Sequence, residues 1–232
     1  MARIVFVTGD KGGVGKSFLA RTLMDWYGRT GVDVKAFDTD KTNSTFYRFF
    51  RGQENVAQLD VDAVEDLDQL LNVVSVKTNG VILVDCAART MDQLLSWMRD
   101  VDFAGMKTEL GFQMTIAFVM GPEKDCVAIL RDLVEEMKGS ADYVIIRNRA
   151  KGRSFDIYDN SAIRKSLNEL YKASEIDLPA MFEKTALTVD RLNVNFEKAL
   201  EHKEVQIADR QRIKIYRDKT RAMFEQGVAQ WM

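Results

Sequence analysis

The 232-residue chain has only two cysteines, two prolines and one histidine. Cys86 and Cys126 make no disulfide framework, so a reducing, cytoplasmic setting is the default expectation. Pro122 and Pro179 leave no material for a Pro-rich linker. His202 stands in a charged stretch and reads as a solvated side chain. Long apolar runs are missing as well. Val81–Val84 and Ile116–Met120 are typical, against the roughly 18 residues a membrane span needs. The first residues go straight into a strand-like run, without a signal-peptide pattern. Charge of one sign is also lacking: 33 Lys and Arg against 35 Asp and Glu give a formal net charge of −2. That excludes a chain basic throughout, though not a local cationic patch. What remains is 46% hydrophobic and 29% charged, enough for a packed core and without a disorder signature.

Short β-branched runs alternate with longer amphipathic stretches, the pattern of βαβ units around a sheet. Strands are expected at Arg3–Thr8, Asp33–Phe37, Gly80–Asp85, Gln113–Met120 and Asp142–Arg147. None alternates strictly, as expected when helices cover both faces. Leu19, Leu23 and Trp26 mark one helix; Val127, Leu130, Leu133, Val134 and Met137 mark another, with Asp125 as its N-cap. No repeat, low-complexity tract or linker interrupts the chain. It reads as one doubly wound α/β domain over residues 1–232, mostly parallel and flanked by helices, with a final helix at about 203–230.

Between the first strand and the first helix lies Thr8-Gly9-Asp10-Lys11-Gly12-Gly13-Val14-Gly15-Lys16-Ser17. Gly9 and Gly15-Lys16-Ser17 satisfy the G-x-x-x-x-G-K-[ST] phosphate-loop pattern. Glycines let the backbone curl closely around an anion, and the following helix aims its positive end at the same place. Gly12, Gly13, Val14, Gly15, Lys16, Ser17 and Phe18 are therefore the candidate cradle of a bound polyphosphate, which the resemblance described next makes that of ATP. Lys16 would neutralise its terminal phosphates and Ser17 would hold Mg²⁺.

The extra lysine, Lys11, in Lys-Gly-Gly-Val-Gly-Lys-Ser resembles the deviant Walker A family that includes ParA, MinD and the nitrogenase iron protein. The resemblance implies a P-loop fold and a nucleotide-sandwich homodimer in which Lys11 reaches the partner's nucleotide in trans. It extends to Asp38-Thr39-Asp40-Lys41-Thr42-Asn43-Ser44-Thr45, similar to the family's switch I. By that match Asp40 positions or activates the attacking water, and Asp38 is a carboxylate near the metal. Gly80–Asp85 ends in an acid as a Walker B strand does, putting Asp85 on the Mg²⁺ side. The following Cys86-Ala87-Ala88-Arg89 departs from the proline and glycine usual there, which bears on switch II geometry. Arg89 is read as a surface arginine. Asn148 sits where relatives carry an adenine-binding asparagine, and equally reads as a turn residue. Leu178-Pro179-Ala180-Met181 resembles the loop that closes over the base.

The cysteines match neither a cluster pattern nor C-x-x-C and read as buried small hydrophobes. Basic residues gather at Arg147, Arg149, Lys151 and Arg153, and again between His202 and Arg221. A ParA-like protein would use such a patch on non-specific DNA, with a ParB-like or other adaptor stimulating hydrolysis; nucleoid association and slow ATP-driven partitioning or cargo positioning follow from the resemblance. The short switch I looks most like plasmid-borne stability and conjugation relatives. A MinD-like membrane switch is the alternative. However, no lysine or arginine follows Arg221, and Met223, Phe224, Val228, Trp231 and Met232 are expected to pack onto the domain. A metabolic enzyme of the dethiobiotin-synthetase type would need a second polar constellation, of which there is no sign. A nucleotide-binding adaptor without hydrolysis is kept open by the altered Cys86-Ala87-Ala88.

Overall fold

Apolar strands separated by amphipathic helices assemble, in the computed structural model, into one sheet with a helical layer on each face. The structure describes residues 1–9, 11–77, 79–88 and 90–228. Asp10, Arg89, Trp231 and Met232 therefore lie outside the described residues.

In chain order the elements are β1 (Ala2–Gly9), α1 (Lys16–Thr30), β2 (Val34–Asp38), β3 (Val56–Gln58), α2 (Val64–Val76), β4 (Gly80–Asp85), α3 (Met91–Asp100) and α4 (Phe103–Leu110). Then follow β5 (Gln113–Met120), α5 (Lys124–Met137), β6 (Asp142–Asn148), α6 (Asp156–Asp159), α7 (Ala162–Leu170), β7 (Ser174–Leu178), α8 (Glu183–Leu192), α9 (Phe196–Glu201) and α10 (Ile207–Gly227). The strands lie in the order β3-β2-β4-β1-β5-β6-β7, and every pairing between them is parallel.

Period-two geometry divides the core. Ile4 and Phe6 of β1 point into one layer, built with Leu67 and Leu70 of α2, Leu94 and Trp97 of α3, and Leu130 of α5. Val5 and Val7 point into the other, built with Leu19, Leu23 and Trp26 of α1 and with Phe224 of α10. A smaller cluster, with Val189, Phe196, Ile213 and Tyr216, joins α8, α9 and α10 and packs on Phe18.

Several boundaries differ from the sequence reading. β3 and β7 were not expected, because three and five residues carry too little pattern to stand out. Asp33 precedes β2, and β6 runs on to Asn148. Asp125 is not the N-cap of α5: extended backbone at Glu123 (φ −76°, ψ 151°) makes that residue the N-cap, two residues earlier, and Asp125 falls in the first turn. The last helix is Ile207–Gly227, shorter than 203–230 at its start, where His202–Val205 form a turn pinned by buried Val205. His202 is half-buried rather than solvated, its Nδ1 accepting from the Glu204 N–H at 3.3 Å. Phe224 and Val228 are buried in the core, as expected of this end.

Candidate functional site

Three neighbouring strands, β2, β4 and β1, deliver Asp38, Asp85 and Gly9 to one edge of the sheet, and the register sets Asp38 directly beside Asp85. Ligands of open parallel sheets sit at this carboxyl end.

The loop from Gly9 to Gly15 is held tightly from below. A Cβ at Gly9 would stand 2.3 Å from the Val119 carbonyl oxygen of β5. Gly15 has φ +111°, and a Cβ there would meet the Asn148 amide at 2.4 Å. Val14 is buried, and its carbonyl accepts from Asn148 Nδ2 at 2.8 Å. Asn148 Oδ1 accepts the Ala150 N–H at 3.0 Å. This side chain thus ties the end of β6 to the phosphate loop. Lys16 is 6% exposed, and its Nζ donates to the Lys11 carbonyl at 3.0 Å, spanning the loop. The first amides of a helix have no intrahelical acceptor, so α1 presents an anion-binding end beside that ammonium. Lys11 Nζ reaches Asp125 of α5 at 2.7 Å in a largely exposed pair.

On the other side of the loop, Ser17 Oγ and Thr45 Oγ1 share a hydrogen bond of 2.9 Å. Thr45 donates to Asp40 Oδ2 at 3.4 Å, and Asp40 Oδ1 accepts the Asn43 N–H at 2.9 Å. Asp38 is fully buried; its Oδ1 accepts from Asp40 N, and its Oδ2 from Phe46 N and Tyr47 N, at 2.8–2.9 Å. The carboxylate read as lying near the metal therefore anchors the whole switch I loop. Burial raises its pKa against the pull of these backbone bonds. Asp85 is buried too, and among the described residues its Oδ1 has no hydrogen-bond partner. Burial, reinforced by the charge of Asp38, pushes its carboxyl up to about 7, against the opposing effects of Ser17 and Lys16. An orphaned carboxylate oxygen near a serine hydroxyl fits a divalent cation, which would satisfy one and neutralise the other.

At and beyond Asp85 the chain is tied to the Asp38–Thr45 loop by Thr39, whose N–H donates to the Asp85 carbonyl at 3.0 Å. Thr39 Oγ1 donates to the Asp85 carbonyl at 3.1 Å and accepts the Ala87 N–H at 2.7 Å. Cys86 is buried and its thiol pKa is pushed up by that burial, so it packs as a small hydrophobe; Cys126 is buried in α5.

One cavity of about 390 Å³ brings together Gly12, Gly13, Gly15, Lys16, Ser17, Phe18 and Asp40. Of the remaining candidates, Lys11, Val14, Asp38, Asp85 and Asn148 do not line it; they surround or support it. The wall also holds residues the sequence reading missed: Thr45, Arg21, Arg48 and Asp190. Arg21 had a legible signal, since on α1 it follows Ser17 by four and so shares its face. Asp190 had none, because only tertiary packing lays α8 against α1.

The basic stretches are less available than their sequence implies. Arg147 pairs with Asp177 at 2.8 Å and with Asp159 at 3.3 Å, and Arg149 pairs with Asp177 at 2.8 Å. On α10, Arg217 is clamped to Asp25 at 2.8 Å, and Arg212 and Arg221 pair with Asp209 and Glu225. Lys203, Lys214 and Lys219 are exposed.

Residues 5–216 match the family described as the CobQ/CobB/MinD/ParA nucleotide binding domain. The chain belongs to that family. The curated relatives of this chain are distant but of matching length. MobD of Acidithiobacillus ferrooxidans is 22% identical over 228 residues, covering 97% of this chain and 98% of that protein. A TraL protein of Escherichia coli is 27% identical over 246 residues, covering 97% of each. Among solved structures, MinD of Pyrococcus horikoshii complexed with Mg-ADP superposes with a TM-score of 0.56 at 16% identity, over 94% of this chain and 96% of that one. MinD of Pyrococcus furiosus gives 0.56 at 18% identity, over 97% and 99%. The fold is that of the MinD P-loop proteins, and the family is one of nucleotide-binding domains. Among the described residues no helix is long and apolar enough to cross a membrane.

Proposed function

We propose that this protein is a ParA-like ATPase: it binds Mg-ATP, pairs face to face with a second copy, and couples slow hydrolysis to DNA and partner binding. The observation that carries the reading is the single cavity in which Lys16, Ser17 and Asp40 meet above the orphaned Asp85 oxygen. Lys16 and the first amides of α1 hold the polyphosphate. Ser17 and Asp85 are the groups that would hold Mg²⁺, which when bound supplies charge neutralisation on the phosphates. Asp40, kept in place by Asn43 and Thr45, orients the attacking water and takes its proton as the terminal phosphate leaves ADP. Lys11 lies outside this cavity, which suits a residue that acts on a neighbour's nucleotide.

The MinD of P. horikoshii binds Mg-ADP on the same fold, which supports Mg-nucleotide as the ligand here. Burial of Phe224 and Val228 favours the ParA-like reading over a membrane switch, since those apolar groups are spent inside the core. The exposed Lys203, Lys214 and Lys219 are the cations offered to DNA phosphates, and a role in plasmid stability or conjugation, with an adaptor that stimulates hydrolysis, completes the reading.

The test is non-specific duplex DNA binding with ATP, ADP and no nucleotide, at two salt concentrations. ATP-dependent binding that weakens with salt is expected. Binding to anionic liposomes instead, with DNA ignored, would overturn the ParA-like assignment in favour of the MinD-like one. Lys16→Ala should lose ATP binding; unchanged affinity would remove the phosphate-loop assignment itself.

A further inference from the structure

Beside the phosphate-loop residues, the cavity is lined by two guanidinium groups and one carboxylate. Arg21 of α1 donates to Asp190 Oδ1 at 3.4 Å, and Arg48, on a 3₁₀ turn at Tyr47–Phe50, pairs with Asp190 Oδ2 at 3.1 Å. The two arginines differ in freedom. Arg21 is 7% exposed, with its guanidinium 3.7 Å from the centroid of the Phe49 ring and 5.1 Å from that of Phe18. Burial, with the charge of Arg48 adding to it, lowers its pKa to about 10, and Asp190 opposes the shift. Arg48 is held by less. Its side chain is 34% exposed, and among the described residues Asp190 is the one acid within ion-pair distance. Its Nε is buried and, among the described residues, has no hydrogen-bond partner, as is true of Arg21 Nε.

Two cations therefore share one anion, each through a single nitrogen–oxygen contact. The partly exposed Arg48–Asp190 pair is worth little, whereas an arginine offers phosphate a planar fork of charge-assisted donors. Arg48 also sits at the end of the switch I loop, two residues beyond the anchoring Phe46 amide, so its position is set by the same loop that carries Asp40.

We propose that Arg48 is a second phosphate-binding cation of the nucleotide site, and that Asp190 competes with the nucleotide's phosphates for it. Arg21, wedged between rings, keeps Asp190 engaged when Arg48 leaves it. This rests on the nucleotide reading above. It adds a residue that the phosphate-loop motif does not contain, together with a carboxylate on α8 that sets how readily the site takes a polyphosphate.

A structural ion pair and a competed ligand give opposite signs on mutation. Titration of the full chain with a fluorescent, slowly hydrolysed ATP analogue and Mg²⁺ should show Arg48→Gln binding about ten-fold more weakly. Asp190→Asn should bind several-fold more tightly, and this gain should vanish in the Arg48→Gln background. Arg48→Lys, which keeps the charge and loses the fork, should fall between wild type and Arg48→Gln; this variant carries the test if Arg48→Gln melts early. Weaker or unchanged binding by Asp190→Asn, or a gain that survives without Arg48, overturns the proposal. If Lys16→Ala binds normally, the nucleotide reading fails. If Lys16→Ala loses binding while Arg48→Gln does not, only the role of Arg48 fails.

Discussion

At the residue scale the site depends on a few side chains that each do a different job. Asp40 faces the cavity, while Asp38 two residues earlier is buried and used entirely on backbone amides. Their substitutions should therefore separate. Asp40→Ala is expected to leave ATP affinity and thermal stability near wild type while steady-state phosphate release falls by about 100-fold or more, the scale of a lost general base; full activity would remove Asp40 from the mechanism. Asn148 makes the converse prediction. Its amide supports Val14 and Ala150 from beneath the loop, so Asn148→Ala leaves a buried carbonyl unpaired at a cost of about 1–3 kcal/mol. A lowered melting temperature before any nucleotide is added would show that bracing, and an unchanged one would reduce Asn148 to whatever it contributes to the base. Sequence alone left turn and adenine contact equally open, because an amide at a strand end looks the same in either case.

Among elements, the far edge of the sheet is held by charge as well as packing. Glu175 of β7 accepts from Arg164 of α7 at 2.8 and 2.9 Å and lies near Arg147 of β6. Burial alone would raise its pKa, but the bond and charge of Arg164, with Tyr158 and Arg147, hold it below the ordinary 4.5. A carboxylate depressed in this way adds stability that is fully present above its unfolded pKa and is lost as pH falls through the folded one. Glu175→Gln should thus cost about 1–3 kcal/mol at neutral pH, and the gap to wild type in denaturant titrations should close as pH falls through the depressed folded pKa. A gap that persists in acid would mean that packing, not charge, sets the effect. The sequence pattern missed β7, and with it this network, because two acids in a five-residue strand look like a surface turn. At the other face, Phe224 of α10 stacks 4.9 Å from Trp26 of α1, fully buried. Phe224→Ala is expected to cost about 3–5 kcal/mol, read as a fall in melting temperature, which would fix the last helix as part of the fold rather than a detachable tail.

For the molecule as a whole, the proposed pairing of two copies turns on Lys11. Lys11 lies outside the cavity, and its pair with Asp125 is largely exposed. Lys11→Ala should bind ATP with near-normal affinity while the ATP-dependent shift in sedimentation disappears; a dimer that still forms would confine Lys11 to its own subunit. The sequence by itself determined the alternation of strands and helices, the phosphate loop and the acids at two strand ends, because local backbone needs and period impose those residue types in order. It also marked cysteines that had no partner spacing and an apolar chain end. Tertiary structure alone decided what the charges do. Arg147, Arg149 and Arg217 form a basic pattern along the chain, yet parallel pairing and helix docking bring each one to an acid. Asp190 reaches the candidate site cavity the same way, carried there by α8 from far along the chain. Charge acts through space over a few ångströms, and no one-dimensional pattern records which residues the fold will bring within that distance.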